Sequence, residues 1–516
     1  MPTVPQVETE PLAAAVRCQD SSEHREVIAP ATGETLGTVP ECTPEDVGTA
    51  FERARAAQHA WADRPLEERV AVLRRVADAV LDEQSWLTDV LQAETGKSRA
   101  DAVEEVFDIA VNARYYASRA DDFLEPTRRR GAVPFLTKTV EHHHPKGVVG
   151  LIVPWNYPLT LAVSDALPAL LAGNAVVLKP AEQTPFSLLA AAKILWEAGI
   201  PEDCFQVVTG DGATLGEPLI EAADFVGFTG GTETGRIVAE TAGRHLTETS
   251  LELGGKNPMV VLADADAETA AEQAVGDCFA NAGQLCLSIE RIYVEAPLFE
   301  AFRDAFVAET RALDLDVGTD WAIDMGSLQS AAQLQRVESH VDDAVERGAS
   351  LLTGGRHRPD IGPFVYEPTV LTDVPTGATL HDEETFGPVV RIERVPDAET
   401  AVERANDSQY GLNASVWSGD RGRGKALARQ IECGTVSVNG TYQVSYGSVD
   451  APMGGHKNSG TERRHGRQGI EKYTDSQTVA VQRGTQLRPS WISNGLWARA
   501  MNVALRGWNR LSRWWP

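Results

Sequence analysis

The sequence predicts an α/β protein made of two doubly wound parallel-sheet units, and three observations lead there. Short runs that are apolar on both faces, at Val148 to Val153, Ala175 to Leu178, Phe205 to Val208 and Phe225 to Phe228, alternate with helical segments such as Leu188 to Ala198. A second alternating series starts at Asn257-Pro258-Met259-Val260-Val261-Leu262. At 516 residues, 42% of them hydrophobic, the chain is too long for one ordinary core and has the apolar content to fill two or three.

Taken in order, residues 1 to 24 are polar and acidic and read as a partly ordered arm. Thr43-Pro44-Glu45-Asp46 reads as an N-cap with proline at the first helical position. Val47, Phe51, Ala54, Ala57 and Trp61 then recur at helical spacing, so long helices are expected over 43–122. The first strand series needs right-handed crossovers, a frame that holds a dinucleotide, and assigns 1–127 and 148–254 to a dinucleotide-binding domain. The second series, with helices near 297–313, 330–347 and 422–431, makes a second domain over 255–446, and 447–473 returns to the first. The cleft between them is the expected site. Two segments that read as extended, Ala132 to His143 and Thr478 to Arg483, fall outside both domains.

The formal net charge is -27, from 74 acidic and 47 basic side chains, and only nine of the latter are lysine. Such self-repulsion argues against a nucleic-acid partner and is easier to carry in a salt-rich cytosol. Cysteines stand at 18, 42, 204, 278, 286 and 433 without a CxxC pair, so reduced thiols, no disulfide framework and no zinc site are expected. His142-His143-His144 alternates faces on a strand and offers no ligand set; no metal is assigned. Met1 to Glu10 has no signal-peptide pattern and no run of 18 apolar residues occurs, so a cytoplasmic location is expected.

The tail reverses the charge balance. From Arg483 to Pro516 there is no acidic residue, while Arg483, Arg488, Arg499, Arg506, Arg510 and Arg513 alternate with tryptophans at 491, 497, 508, 514 and 515. A helix over 485–516 lying on an anionic membrane surface, or docked on the protein's own acidic surface, accounts for this composition.

Chemistry concentrates in two glycine-rich motifs, Glu252-Leu253-Gly254-Gly255-Lys256 and Gly283-Gln284-Leu285-Cys286. A cysteine and a carboxylate in surroundings that let other groups approach are the parts needed to form a thioester and hydrolyse it. A cysteine is more often a small buried hydrophobe, and a carboxylate more often a solvated charge, yet Glu252 stands between Leu251 and Leu253. These motifs, with Pro154-Trp155-Asn156-Tyr157-Pro158, Lys179-Pro180-Ala181-Glu182, Phe228-Thr229-Gly230-Gly231, Glu384-Thr385-Phe386-Gly387-Pro388 and Pro452-Met453-Gly454-Gly455, resemble the aldehyde dehydrogenase superfamily over roughly 25 to 480.

The resemblance implies oxidation of an aldehyde to an acid. Cys286 would be the nucleophile, Glu252 the base that activates water, and Asn156 the oxyanion donor together with the Cys286 N–H. Pro154, Trp155, Lys179, Pro180, Ala181, Glu182, Gly212, Gly230, Gly231, Leu253, Glu384 and Phe386 would contact the cofactor. Glu182, on the ribose 2′-hydroxyl, favours NAD over NADP, the alternative. Gly231 stands where the family commonly has serine, which removes one pyrophosphate hydrogen bond. Domain 255–446 becomes the catalytic domain, and 128–147 with 474–484 an arm that joins subunits into a homodimer or homotetramer.

The nearest likeness is to bacterial succinate-semialdehyde dehydrogenases, through Asn281-Ala282-Gly283-Gln284-Leu285-Cys286-Leu287-Ser288-Ile289-Glu290-Arg291 and Arg463-Arg464-His465-Gly466. The better-known enzymes clamp the substrate carboxylate with arginines at the positions of Ala280 and Ser164, and of their clamp only Ser448 is kept. Another residue must supply the charge, or the substrate is another semialdehyde or a neutral aliphatic or aromatic aldehyde. A membrane-recruited, inactive scaffold is the alternative of another class, and an acyl-transferring dehydrogenase would need coenzyme A; the set Cys286, Glu252, Asn156, Lys179 and Glu384 argues against the first and Glu252 against the second.

Overall fold

The computed structural model of the protein describes residues 4–18, 23–130, 137–483 and 490–511. It contains a large unit, Met1–Phe123 with Pro145–Thr474, and a small one, Leu124–His144 with Asp475–Pro516.

The large unit opens with helices Pro44–Ala62, Leu66–Asp82, Gln84–Thr95 and Arg99–Leu124. The first starts at the capping box read from Thr43-Pro44-Glu45-Asp46: the Asp46 N–H donates to the Thr43 hydroxyl and the Asp46 carboxylate accepts the Thr43 N–H. A five-stranded parallel sheet follows in the order Phe205–Val207, Ala175–Lys179, Val148–Ile152, Phe225–Thr229, Glu248–Glu252. The chain builds outward from the central strand on one side, then resumes on the other. The reversal therefore lies between Val148–Ile152 and Phe225–Thr229, and in such sheets ligands bind at the carboxyl ends there.

The second sheet has seven strands in the order Ser350–Thr353, Thr369–Thr372, Val389–Val395, Ile289–Glu295, Asn257–Val261, Asn413–Trp417, Thr435–Val438, parallel except at the Ser350–Thr353 edge. Both its faces are covered, which is why Met259-Val260-Val261-Leu262 is apolar without interruption. Met259 and Val261 pack with Phe302, Phe306 and Val337, whereas Val260 and Leu262 pack with Tyr293, Ala414 and Val416. The expected helices are present as Phe299–Ala312, Ala331–Glu346 and Arg421–Ala428.

One expectation is corrected. The arm at residues 1–24 includes a short helix, Glu10–Ala13, and beyond it Cys18, expected to be a reduced thiol, is joined to Cys42 in a disulfide. The chain folds back against strand Thr35–Pro40 and brings the two Cα atoms to 5.2 Å, a proximity that spacing alone does not reveal. Among the described residues this pair also forms, with Asp46, the only metal-sized cluster of ligand groups, and its sulfurs are already bonded to each other.

The small unit holds a three-stranded sheet in the order Thr474–Gln482, Thr137–Pro145, Thr127–Arg129 and the helix Asn494–Leu511. Part of the extended segment expected from Ala132 lies outside the described residues, as do Arg488, Arg513, Trp514 and Trp515 of the tail. No helix among the described residues is long and apolar enough to cross a membrane.

Candidate active site

Cys286 sits at the end of a strained turn. Asn281 and Ala282 have φ of 50° and 55°, and Gly283 follows at 69°. Only glycine fits at 283, where an added Cβ would stand 2.1 Å from the Gly387 carbonyl oxygen. Asp101 accepts the Asn281 N–H, and the Asn257 amide donates to the carbonyl of Cys286 at 2.7 Å, so the backbone around Cys286 is held from both sides.

Glu252 ends the last strand of the five-stranded sheet. Its carbonyl accepts the Gly230 N–H, and the next N–H, of Leu253, donates to Ser459. The carboxylate is buried, and its Oε1 has no hydrogen-bond partner among the described residues. Burial pushes its pKa up to about 7. Burial likewise pushes the half-buried Cys286 thiol to about 12, against the opposing pull of the Arg464 charge. The thiol therefore needs a base to ionise it near neutrality.

Asn156 follows the central strand of the first sheet. Its side-chain amide donates to the Gln284 carbonyl at 3.0 Å. Its own carbonyl accepts from Lys97 Nζ at 2.7 Å and from the Asn281 amide at 2.9 Å. Lys97 is fully buried and pairs with Glu105 at 2.6 Å, while Glu105 accepts the N–H groups of Leu159 and Thr160. Sequence reading missed Lys97, in the loop before helix Arg99–Leu124, and Glu105 on that helix, a lysine and a glutamate that must pair once both are buried.

Two cavities meet at Asn156, Thr229, Glu252, Leu253 and Cys286. One, of about 560 Å³, is lined by Pro154, Trp155, Gly230, Gly231, Glu384 and Phe386. Its far wall is fixed by a second buried pair that sequence reading missed: Glu290, bonded to Lys256, accepts the N–H groups of Thr385 and Phe386. This presents Glu384 to the Gly255 N–H at 2.7 Å and Phe386 edge-on to Trp155 at 5.5 Å. Burial raises the Glu384 carboxyl to about 7.

Lys179, Pro180, Ala181, Glu182 and Gly212 gather beside that cavity rather than in its lining, at the end of the neighbouring strand. Lys179 Nζ lies 2.9 Å from both Glu182 Oε1 and the Pro180 carbonyl, and the Gly212 N–H donates to Glu182 at 2.7 Å. Thr184 donates to the Ala181 carbonyl. The arrangement fits a dinucleotide. The cavity lies at the sheet's reversal point, a carboxylate stands beside it for a ribose, and helix Thr232–His245 starts at Gly231 with no side-chain cap and open space where a Cβ would stand.

The second cavity, of about 310 Å³, is a funnel with walls of Phe107, Val111, Leu161, Leu285 and Met453. Ser448, expected to touch substrate, is exposed on the rim, and its hydroxyl turns back to the Val444 carbonyl. Gly447 and Val449 line the funnel instead. Its side chain belongs to a helical turn that satisfies itself locally. Ser164, too, is committed, donating to Asp108 at 2.7 Å.

Known proteins share this arrangement. The chain matches the aldehyde dehydrogenase family model over residues 17–479. A Mycolicibacterium smegmatis protein with the provisional name NADP(+) succinate-semialdehyde dehydrogenase is 51% identical, covering 96% of both chains. A second such protein, from Mycobacterium tuberculosis, is 48% identical over 96% of this chain and 95% of its own. Among solved structures, Staphylococcus aureus betaine aldehyde dehydrogenase in complex with NAD+ is 33% identical, with a TM-score of 0.86, covering 92% of this chain and 98% of that one. With the fold, the paired cavities and a match that spans nearly its whole length in agreement, the chain belongs to the aldehyde dehydrogenase family.

Proposed function

We propose that the protein oxidises succinate semialdehyde to succinate with a nicotinamide dinucleotide. The observation that carries this reading is the meeting of two cavities at Cys286, Glu252 and Asn156, one suited to a dinucleotide and one to a small aldehyde. The substrate itself is supported by the relatives' names.

Glu252 takes the proton of the Cys286 thiol and releases it to solvent, the thiolate attacks the carbonyl carbon, and the resulting oxyanion is held by the Asn156 amide and the Cys286 N–H. A nicotinamide dinucleotide, when bound, accepts the hydride and so supplies the oxidation. The acyl group then remains on Cys286 as a thioester. Glu252 takes a proton from water, hydroxide adds to the thioester, and Cys286 departs as the acid is released.

Glu182 supports NAD as the better cofactor, because a carboxylate on the ribose repels a 2′-phosphate. The relatives' names specify NADP(+), so this residue is where the chain is expected to diverge from them. Residues 128–147 and 474–484 are proposed to join subunits: the strand Thr474–Gln482 is an exposed sheet edge, with Val479 and Val481 facing out. The tail helix is proposed to lie on an anionic membrane surface, supported by the exposed Trp491, Leu496, Val503 and Leu505 beside arginines.

The apolar funnel walls favour a second reading, a neutral aldehyde such as hexanal or benzaldehyde. Initial rates with succinate semialdehyde, hexanal and benzaldehyde, each with NAD and with NADP, separate the two. A higher kcat/KM for succinate semialdehyde with NAD is expected; preference for a neutral aldehyde overturns the substrate, and preference for NADP overturns the role of Glu182.

A further inference from the structure

A carboxylate substrate entering an apolar funnel must find a cation there, since an unpaired charge loses its hydration without compensation. Among the described residues lining the funnel, Arg464 is the one basic side chain. Of the acids that line the funnel with it, Glu252 feels the Arg464 charge and has an Oε1 unpartnered among the described residues, and the other three are committed elsewhere. Glu105 pairs with Lys97, Asp108 accepts from Ser164 and Asn112, and Glu104 accepts from Tyr442 and Gln443.

Arg464 is held in place from its backbone outward. Its N–H donates to the Met453 carbonyl at 2.8 Å, and its carbonyl accepts the Met453 N–H at 2.9 Å. The side chain is 5% exposed, and its Nη2 bonds Asp165, which stands on helix Pro158–Leu171. One carboxylate does not exhaust a guanidinium, which has five N–H donors in a planar fork. The Arg464 Nε is buried and has no hydrogen-bond partner among the described residues. A side chain this buried, with a donor unused, in the same cavity as the nucleophile, is equipped for a second anion.

We propose that Arg464 is the specificity-determining residue of this site, binding the far carboxylate of a short ω-carboxy aldehyde while Asp165 keeps its Nη2 and fixes its orientation. This rests on the substrate reading above and deepens it. The anchoring guanidinium comes from the loop after Met453, in the same cavity lining as Cys286, rather than from positions 164 or 280, which hold Ser164 and Ala280.

Two measurements test it separately from the functional reading. In the first, succinate binding is followed by calorimetry in a Cys286→Ala background, with Arg464 intact, as Arg464→Gln and as Arg464→Lys. The intact site is expected to bind succinate, Arg464→Gln to weaken it at least about 30-fold, and Arg464→Lys to recover part of that loss, because charge returns without the fork. Equal binding by all three overturns the proposal. In the second, the ratio of kcat/KM for succinate semialdehyde to that for butanal, a neutral aldehyde of the same length, is expected to fall about 100-fold in Arg464→Gln. An unchanged ratio, with both substrates slowed alike, makes Arg464 a positioning residue for Glu252 and Cys286 and overturns the proposal. Should loss of Arg464 alone leave Asp165 unpaired and the fold unstable, Arg464→Gln with Asp165→Asn replaces the pair by amides, and the same two readouts decide. A native enzyme that binds succinate through Arg464 yet prefers butanal would defeat the substrate reading and leave the anchor standing.

Discussion

The Asn156 amide donates one hydrogen to the Gln284 carbonyl at 3.0 Å, and so ties the end of the first sheet's central strand to the turn that carries Cys286. An amide nitrogen has two hydrogens, and the second is left for an oxyanion. The donor is therefore positioned by the element it serves. Asn156→Ala is expected to lower kcat by about 100- to 1,000-fold with a smaller change in KM. Steady-state kinetics with the preferred aldehyde check this, and a loss confined to KM would remove the oxyanion role.

Glu252 works as a base only when ionised. Since burial raises its pKa to about 7, the active form is lost as pH falls through that value, and the rate should rise with pH up to about 7 and then level. Below the midpoint, kcat should drop about tenfold per pH unit if deacylation limits turnover. A midpoint in the ordinary carboxylate range near about 4 would mean that burial does not raise Glu252, and a midpoint unmoved in Glu252→Gln would mean that Glu252 is not the titrating base.

The buried pair Lys97–Glu105 holds both Asn156 and the start of helix Pro158–Leu171. Removing one partner strands the other charge, so Lys97→Met is expected to cost about 3–5 kcal/mol in urea unfolding. Adding Glu105→Gln should recover part of it. A loss below about 1 kcal/mol in the single variant would show that the pair is not a structural clamp.

Gly231 precedes helix Thr232–His245 with room for a side chain and φ of -68°, which any residue adopts. Gly231→Ser should add one hydrogen bond to a bound pyrophosphate and lower the cofactor Kd several-fold in fluorescence titration. Weaker binding would show that the phosphates do not approach this turn.

A net charge of -27 repels itself most at low ionic strength. Raising KCl from about 0.1 M to about 1 M should raise both Tm and activity, because the screening length shrinks from about 10 Å to about 3 Å. Highest stability in low salt would contradict the expected salt-rich setting.

Much of this architecture was legible because it depends on local pattern. Strands buried on both faces, such as Val148–Ile152, leave uninterrupted apolar runs, and the Thr43–Asp46 cap needs only neighbouring residues. The burial of Glu252 between two leucines, and the glycine turn before Cys286, were likewise legible from local context. What stayed hidden depends on contacts between distant segments. Lys97, in the loop before helix Arg99–Leu124, and Glu105 on that helix become a buried clamp only once Asn156 and helix Pro158–Leu171 pack on them; Lys256 and Glu290 meet once two strands pair, and Cys18 reaches Cys42 only after the N-terminal segment folds back. Ser448 illustrates the reverse: its motif spacing matched, but its hydroxyl is taken by its own helical turn.

The most direct test of the central claim is the mass of the Cys286 peptide from Glu252→Gln enzyme mixed with NAD and succinate semialdehyde. Acylation should proceed and hydrolysis stall, so a succinyl thioester on Cys286 is predicted, formed with one equivalent of NADH and little further turnover. Unmodified Cys286 together with undiminished release of succinate would contradict both the nucleophile and the base assigned here.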